Sequence, residues 1–416
     1  MKNIGEKRKR EKGYCQMSKW SDTKWIVEQL QRKWDNGAIP RELLTQTGLF
    51  PLTFSLKKPK SNEITSNFAD VYPWIDALRE ASKRKRGYGF ELIEKEIVHR
   101  QLGRNPIPTH ALITTIDDAL KLIKKNREAE KIQKDVSLIL SEWIVLNDWA
   151  QKFPLKVLQY YNDWTNILAV LRWFYEHPNS GLYMRQMDIP GVDTKFVENK
   201  KRILTELLNI ILPEEYINQK AGSFEGRFGL CEKPIRIRMR FLDTELYING
   251  LEDISAPFEQ VALFNPNVST VFITENEING LSFPNVKGSI VIFGLGYAVD
   301  ILKTINWLKE KAVYYWGDLD THGFKMLDQV RQFFPQVKSI LMNEDILLDS
   351  RDLWVIEKEP FYGSLSRLTK DEQQLFFSLQ NNMWGENVRL EQERIPFTRV
   401  QDEVQKAIRD KVLQLH

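Results

Sequence analysis

Short apolar runs alternate with helical patterns through the second half of the chain. The runs lie at Thr270–Thr274, Ser289–Phe293, Ala312–Trp316 and Ser339–Met342. Continuous apolar runs of this length are typical of strands that are buried on both faces of a parallel sheet. Helices are predicted at Phe324–Phe334, Asp371–Asn381 and Phe397–Leu413. The alternation therefore predicts an α/β domain with parallel strands.

The first 150 residues predict a mixture of helices and strands. One helical face is formed by four apolar residues, Trp25, Ile26, Leu30 and Trp34. A strand-like, proline-punctuated stretch follows at Gly48–Ser61, and Thr115 is a suitable N-cap for a helix at Ile116–Lys124. The basic run Lys83–Arg86 has two interpretations, a solvated charge run or a DNA contact.

The middle of the chain predicts two helices around a short extended segment. An aromatic-rich helix is predicted at Leu155–His177, a short strand at Leu182–Met187 and a second helix at Lys195–Ile211. This order suggests a winged-helix or helix-turn-helix module, with Ser223–Leu242 as a β-hairpin that forms the wing or a bridge.

Basic residues of this module are candidate phosphate contacts. The candidates are Arg185, Lys195, Lys200 and Lys201. The alternative is an ordinary amphipathic helix whose apolar side faces a core. The aromatic residues of the first helix are likewise typical of core packing rather than of base stacking.

Composition indicates a soluble globular protein. Of 416 residues, 42% are hydrophobic and 28% are charged. No apolar stretch reaches the roughly 18 residues that a membrane span needs, and no signal peptide is evident. The two cysteines, Cys15 and Cys231, form neither a zinc cluster nor a disulfide framework, which favours a reducing cytoplasm.

The net charge gives little support for general DNA binding. Residues 1–16 contain six Lys/Arg and two Glu, a contribution of +4 to the formal total of +3, so the rest of the chain carries about −1. Any DNA-binding surface must therefore be local. Residues 1–17 are expected to be a basic, disordered tail.

Three acidic residues follow two of the predicted strands. Asp318 and Asp320 come after Ala312–Trp316 in the sequence GDLDTHG, and Glu275 follows Thr270–Thr274. Residues i and i+2 of an extended chain point to the same side, and ligand sites of open α/β sheets lie at the carboxyl ends of strands. The three carboxylates are therefore expected to converge on Mg²⁺ or Mn²⁺, with Glu275 as a ligand or a general base.

Other residues near this motif have less certain roles. His322 is expected to support the site, to contact phosphate or to pack the loop. Glu391 and Glu393 in RLEQERI either reach the site or pair with arginines, and the second role is favoured. The sequence Gly294-Leu-Gly296 offers a weak phosphate-binding signal.

The order Glu…DxD resembles the Toprim fold of topoisomerases, primases and related nucleases. Long motifs further resemble the JetD family, the nuclease subunit of the Wadjet anti-plasmid system. These motifs are RKWDNG, RQLGRNPIP and LYMRQMDIPGVDTKFVENKK in the first half and VYYWGDLDTHGF and RLEQERIP in the second.

The JetD resemblance implies a domain order, an activity and partners. It implies an N-terminal arm domain (residues 18–150), a winged-helix module (151–245) and a Toprim-like catalytic domain (246–416). The implied protein is a homodimeric DNA endonuclease that cleaves double-stranded plasmid DNA and acts with an SMC ATPase, a kleisin and a KITE-type subunit in the bacterial cytoplasm.

Two other functions remain open from the sequence. Topoisomerase VI A-subunits, to which the chain is also similar, cut DNA with a tyrosine on the winged helix. Tyr183 is the tyrosine nearest to that place, but it lies in LYMRQ rather than in a paired-tyrosine motif, which favours water as the nucleophile. A non-catalytic DNA clamp is the third hypothesis, and the acidic triad argues against it.

Overall fold

The computed structural model describes residues 20–60, 63–64, 68–99, 103–294 and 296–413. The predicted basic tail (residues 1–17) lies outside the described residues, and so does Leu295 of the glycine-rich sequence. The chain divides into two compact units, the first ending at Glu232 and the second beginning at Lys233. Both units contain helices and strands, which confirms the predicted multi-domain fold of mixed α and β structure.

The first unit is mainly helical. Its α-helices are α1 (Thr23–Asp35), α2 (Ala38–Thr45), α3 (Phe68–Ala81), α4 (Lys83–Arg86), α5 (Ile116–Ile123), α6 (Asn126–Glu142), α7 (Asn147–Lys152), α8 (Pro154–Gln159), α9 (Trp164–Glu176), α10 (Thr194–Ile211) and α11 (Phe224–Arg227). Short 3-10 helices lie at Ile144–Leu146, Met184–Gln186 and Glu214–Tyr216. Strands β1 (Leu52–Ser55), β2 (Glu91–His99) and β3 (Gly103–Ile113) form an antiparallel sheet in the order β1-β3-β2.

Helix α1 follows its predicted pattern. The side chain of Asp22 accepts a hydrogen bond from the backbone N–H of Trp25 at 2.8 Å and so caps the helix. Ile26, Leu30 and Trp34 are buried on the face that the sequence predicts.

The basic run Lys83–Arg86 forms the single helical turn α4. Lys83 Nζ lies 2.7 Å from Asp118 Oδ2, so this lysine has a structural ion pair. The Asp118 side chain also accepts a hydrogen bond from the backbone N–H of Gly89 at 2.8 Å. Asp118 therefore connects the basic turn to the start of α5.

The aromatic helix predicted at Leu155–His177 is divided. Helix α8 ends at Gln159 and α9 begins at Trp164, with a turn between them. Trp164, Trp173 and Phe174 are buried, which confirms core packing for them, whereas Tyr161 and Tyr175 are exposed.

The second predicted helix of the module is confirmed, but the strand predicted before it is wrong. Helix α10 begins after Asp193, whose side chain accepts from the N–H of Phe196 at 2.7 Å. The strand predicted at Leu182–Met187 is replaced by the 3-10 helix Met184–Gln186 and one isolated bridge between Tyr183 and Cys231.

The hairpin predicted at Ser223–Leu242 is also not formed. Phe224–Arg227 is helical, because Ser223 caps it by accepting a hydrogen bond from the Gly226 N–H at 2.9 Å. Arg236–Phe241 is a strand, as its alternation indicates, but its partners are distant in sequence. Alternation predicts a strand without identifying what the strand pairs with.

The second unit is built on a six-stranded sheet. Its strands are β4 (Arg236–Phe241), β5 (Asp253–Pro257), β6 (Thr270–Thr274), β7 (Ser289–Phe293), β8 (Ala312–Trp316) and β9 (Lys338–Ser339), in the order β5-β4-β7-β6-β8-β9. The four strands β6 to β9 are parallel, and β4 and β5 are antiparallel to their neighbours. The predicted strands β6, β7 and β8 are confirmed, whereas the fourth overlaps its prediction only at Ser339.

Helices and a small second sheet surround this sheet. The α-helices are α12 (Phe258–Phe264), α13 (Glu277–Leu281), α14 (Thr321–Phe333), α15 (Glu344–Asp349), α16 (Lys370–Gln380) and α17 (Phe397–Leu413). The 3-10 helices are Thr244–Leu246, Gly296–Thr304, Asn306–Glu310, Arg351–Leu353 and Gln392–Arg394. Strands β10 (Val355–Ile356) and β11 (Val388–Arg389) pair with each other in antiparallel fashion.

The central strands β6 and β7 are buried along their whole length. On β8, Tyr314 stacks against Phe272 of β6 with the ring centroids 5.4 Å apart, and its hydroxyl donates to the carbonyl of Ala407 in α17 at 3.1 Å. This burial gives β6 and β8 fixed positions, and their ends carry the acidic residues.

No helix in the described part of the chain has the length and apolar character that a membrane span requires.

Asp135 on α6 is a buried acid that costs stability. Its side chain is 7% exposed, and Oδ2 has no hydrogen-bond partner among the described residues. Burial raises the pKa of this carboxyl. The folded state therefore binds its proton more readily than the unfolded state, so this group lowers stability at neutral pH and ceases to do so as the pH falls through the folded pKa.

We expect Asp135→Asn to raise the free energy of unfolding at pH 7 by about 1 kcal/mol, because it removes a desolvated charge. Urea unfolding between pH 7 and pH 4 measures this, and the gain should shrink as the pH falls. Glu130→Gln, an exposed acid on the same helix, is the matched control. An equal gain from both variants would contradict the prediction.

Candidate functional site

The three predicted acids lie at the ends of two adjacent parallel strands. Strands β6 and β8 pair in register, with Thr274 opposite Trp316. Glu275 follows the first strand, and Asp318 and Asp320 follow the second. All three line one cleft of about 680 Å³, together with His322, Gly323, Met326, Val355–Glu359, Arg389 and Glu391.

Asp320 begins helix α14 and is almost completely buried. Its Oδ1 accepts a hydrogen bond from the N–H of Gly323 at 2.7 Å, and the side chain caps the helix. A Cβ on Gly323 would lie 2.0 Å from the carbonyl oxygen of Asp318, so this turn requires glycine. Burial, reinforced by the negative charge of Glu357, raises the pKa of Asp320 to about 7.

Glu275 lies against the buried hydroxyl of Tyr315. The Tyr315 Oη donates a hydrogen bond to Glu275 Oε1. Burial raises the pKa of Glu275, and the nearby charge of Asp318 adds to the effect, while the hydrogen bond from Tyr315 opposes it. The two strand ends thus present carboxyl groups that are costly to ionise together.

Arg389 lies beside both aspartates of the DxD motif. Its Nη2 is 2.6 Å from Asp318 Oδ2, and its Nε is 3.2 Å from Asp320 Oδ2. The next residue, Leu390, exchanges backbone hydrogen bonds with Leu319 at 2.9 and 3.1 Å. The segment RLEQERI therefore runs along the DxD loop, an arrangement that the acidic residues alone did not predict.

Gln392 joins the ends of β6 and β8. Its side-chain oxygen accepts from Thr274 Oγ1 at 3.0 Å and from the Asn276 N–H at 3.1 Å, while its Nε2 donates to the carbonyl of Trp316. Its backbone N–H donates to Asp318 Oδ1 at 2.9 Å. Sequence analysis missed this role because a lone glutamine between charged residues has the pattern of a solvated loop.

Glu357 is a further site residue that sequence analysis missed. It is buried and accepts hydrogen bonds from Thr321 Oγ1 at 2.7 Å, from the Thr321 N–H at 3.2 Å and from the His322 N–H at 3.3 Å. It therefore fixes the start of α14, directly after Asp320. No spacing or repeat in the sequence distinguishes it from surface glutamates.

His322, Glu391 and Glu393, the other candidates near the DxD motif, lie at different places around the cleft. The Nε2–H of His322 donates to the carbonyl of Glu359 at 2.8 Å, at the edge of the cleft. Glu391 pairs with Arg394 at 2.9 Å and lies 3.7 Å from Arg389. Glu393 accepts from Asn276 Nδ2 at 2.9 Å and is not among the cleft residues.

The donor types at this cleft fit a hard divalent cation, but they are not arranged as a finished metal site. Carboxylate oxygens are the ligands that Mg²⁺ and Mn²⁺ prefer. Within the described ranges, no group of three or more His, Cys, Asp or Glu residues is arranged to hold a metal. The oxygens of the two aspartates make contacts within the protein instead, because Asp318 accepts from Arg389 and Gln392 and Asp320 accepts from Gly323.

The predicted DNA contacts of the first unit divide into two pairs. Lys200 Nζ lies 2.5 Å from Asp163 Oδ2, and Lys201 Nζ lies 2.7 Å from Glu225 Oε1, so both lysines form ion pairs. Arg185 and Lys195 are exposed and line one groove of about 510 Å³ at the start of α10. Tyr183 precedes this groove and is 46% exposed.

Two family models match the chain and together cover most of it. Residues 23–209 match a family described as an uncharacterized protein conserved in bacteria, N-terminal (DUF3322). Residues 229–404 match the family described as Wadjet protein JetD, C-terminal. No curated protein matches the chain. The two matches show that the chain belongs to the JetD family of the Wadjet system, which supports a role in plasmid defence.

Proposed function

We propose that the chain is the metal-dependent DNA endonuclease of its Wadjet system and cleaves plasmid DNA by hydrolysis. The observation that carries this proposal is the in-register pairing of β6 with β8, which brings Glu275, Asp318 and Asp320 to one cleft. Acids that face a polyanion are unfavourable unless a cation lies between them and the phosphate. A protein that only bound DNA would gain nothing from them.

Each acid has a role under this proposal. Asp318 and Asp320 would hold Mg²⁺ or Mn²⁺, and the backbone N–H that donates to Oδ1 of each would keep the two carboxylates in place. The metal would polarise the phosphate and lower the pKa of a bound water. Glu275 would be a ligand or a general base, and the hydrogen bond from Tyr315 to its Oε1 would hold the carboxyl group in place.

The arrangement of each unit supports the finer structural assignment. A parallel sheet with acids after β6 and β8 supports a Toprim-like catalytic domain. Helices α9 and α10, with a 3-10 turn between them, support a helix-turn-helix or winged-helix module. The predicted wing hairpin is not formed, so any wing comes from another segment.

Wadjet membership implies SMC-like partners, and we infer that these comprise an SMC ATPase, a kleisin and a KITE-type subunit. Outside the first 16 residues the chain carries about −1, so its overall field attracts free DNA weakly. Cleavage therefore depends on partners that deliver double-stranded plasmid DNA. A homodimer would bring two acidic sites to one duplex and cut both strands.

We expect Glu275→Gln, Asp318→Asn and Asp320→Asn each to lower plasmid cleavage by about 100-fold or more, because each replaces a negatively charged carboxylate with a neutral amide that is a poorer metal ligand and a poorer base. Linearisation of supercoiled plasmid with Mg²⁺ or Mn²⁺, in the presence of the SMC partners and ATP, measures the effect. Circular dichroism establishes that each variant is folded.

Asp352→Asn, an exposed acid of the same unit, is the matched control and should cleave at the wild-type rate. Full activity in Asp318→Asn or Asp320→Asn would contradict the proposed site. Efficient cleavage by the isolated protein, unchanged by partners and ATP, would contradict partner dependence.

We expect Tyr183→Phe to retain cleavage, because water is the proposed nucleophile. The exposure of Tyr183 keeps the transesterase alternative open, since a nucleophilic phenol must reach DNA. Denaturing gels of the reaction with end-labelled DNA detect any covalent protein–DNA product. An adduct that disappears in Tyr183→Phe would show that the chain is a transesterase.

We expect the double variant Arg185→Glu with Lys195→Glu to weaken DNA binding similarly for all sequences, because phosphate contacts do not read bases. Each lost contact should lower the slope of log affinity against log salt by about one. Fluorescence anisotropy with unrelated duplexes at several salt concentrations measures this slope.

The matched control for DNA binding is Arg32→Glu with Lys121→Glu, which reverses two exposed charges elsewhere in the same unit. Equal losses in both double variants would indicate a general charge effect rather than a contact surface at the groove.

A further inference from the structure

We propose that Arg389 acts as an internal counter-cation, which neutralises Asp318 and Asp320 in the metal-free protein and which a divalent metal must displace. The residue therefore sets the metal affinity of the site. This inference rests on the proposed function, because it takes the two aspartates as metal ligands.

The first argument is the position of the guanidinium. Arg389 approaches the Oδ2 atoms of both aspartates, at 2.6 Å for Asp318 and 3.2 Å for Asp320. The other oxygen of each aspartate accepts a backbone N–H, from Gln392 and from Gly323. The two oxygens that accept no backbone N–H are those that the guanidinium contacts, so a metal that used them would compete with Arg389.

The second argument is the charge of the cleft. Glu275, Asp318, Asp320 and Glu357 are carboxyl groups that line one cleft, and like charges at close range raise each other's cost of ionisation. Arg389 lies directly among them and remains protonated at any ordinary pH. A divalent cation in the same place would supply more positive charge and would make the guanidinium redundant.

The third argument is that the ion pair with Asp320 is incomplete. Arg389 Nε lies within ion-pair distance of Asp320 Oδ2, but it is buried without a hydrogen-bond partner in the described part of the chain. The short Nε–Oδ2 separation and the missing hydrogen bond are both explained by an Nε–H that points away from the Asp320 carboxylate. An unsatisfied buried donor reduces the stability of the pair and so makes it easier to displace.

The fourth argument is that the side chain has room to leave. Its side chain is 33% exposed, and its strand β11 has only two residues. Gln392 independently fixes Asp318 Oδ1 and both strand ends, so departure of the guanidinium leaves the carboxylates in position. Displacement therefore requires side-chain rotation rather than refolding.

Isothermal titration of the full-length protein with Mn²⁺ tests this competition without measuring activity. We expect Arg389→Gln to bind Mn²⁺ about tenfold more tightly than wild type, a change of the size usual for linked sites. Its metal-free melting temperature should fall, and its stabilisation by Mn²⁺ should exceed that of wild type. Arg389→Lys keeps the charge without the planar fork, so we expect an intermediate affinity.

Two further variants separate the possible results. Arg399→Gln, which removes an exposed pair with Asp349, should bind Mn²⁺ with wild-type affinity. Asp318→Asn combined with Arg389→Gln should lose the tight binding. If Arg389→Gln is too unstable to titrate, Arg389→Lys is titrated in its place. Tighter Mn²⁺ binding by Arg389→Lys than by wild type then supports the competition.

Equal or weaker Mn²⁺ binding by folded Arg389→Gln, with wild type binding measurably, would overturn the competition while leaving the proposed metal site intact. Absence of Mn²⁺ binding by wild type and by both Arg389 variants would overturn the metal site and the competition together.

Discussion

Repulsion between the carboxylates at the ends of β6 and β8 is the constraint that other contacts of the second unit must offset. In-register pairing of two buried parallel strands brings Glu275, Asp318 and Asp320 together, and the sheet cannot separate them without losing its core. Burial raises the pKa of Glu275 and of Asp320, and the negative charges of neighbouring acids add to the effect. Hydrogen bonds and the guanidinium of Arg389 reduce this cost.

Residues far along the sequence provide that relief. Arg389 supplies positive charge and Gln392 joins the two strand ends, whereas Glu357, which fixes the start of α14, adds a further negative charge beside Asp320. The acid site is thus a property of the whole second unit rather than of the DxD motif alone. Under the proposed function, the same contacts also define what a metal would have to replace.

Sequence patterns predicted those features that depend on local periodicity. Apolar runs predicted the strands β6, β7 and β8 and the helix after the DxD motif. The acidic residues that follow two of these runs predicted the convergence of the strand ends. The predicted hairpin at Ser223–Leu242 failed because alternation does not identify a distant partner. Arg389, Gln392 and Glu357 escaped prediction because their roles depend on tertiary contacts that leave no periodic signal.

The long separation between the strand ends and Gln392 also orders events during synthesis. Gln392 Oε1 accepts from Thr274, which lies 118 residues earlier in the chain. A ribosome therefore releases both acidic strand ends well before the residues that neutralise and join them, and chains grow at about 5–20 residues per second. At that stage of synthesis the nascent chain contains the acidic strand ends but not yet the residues that compensate their charge.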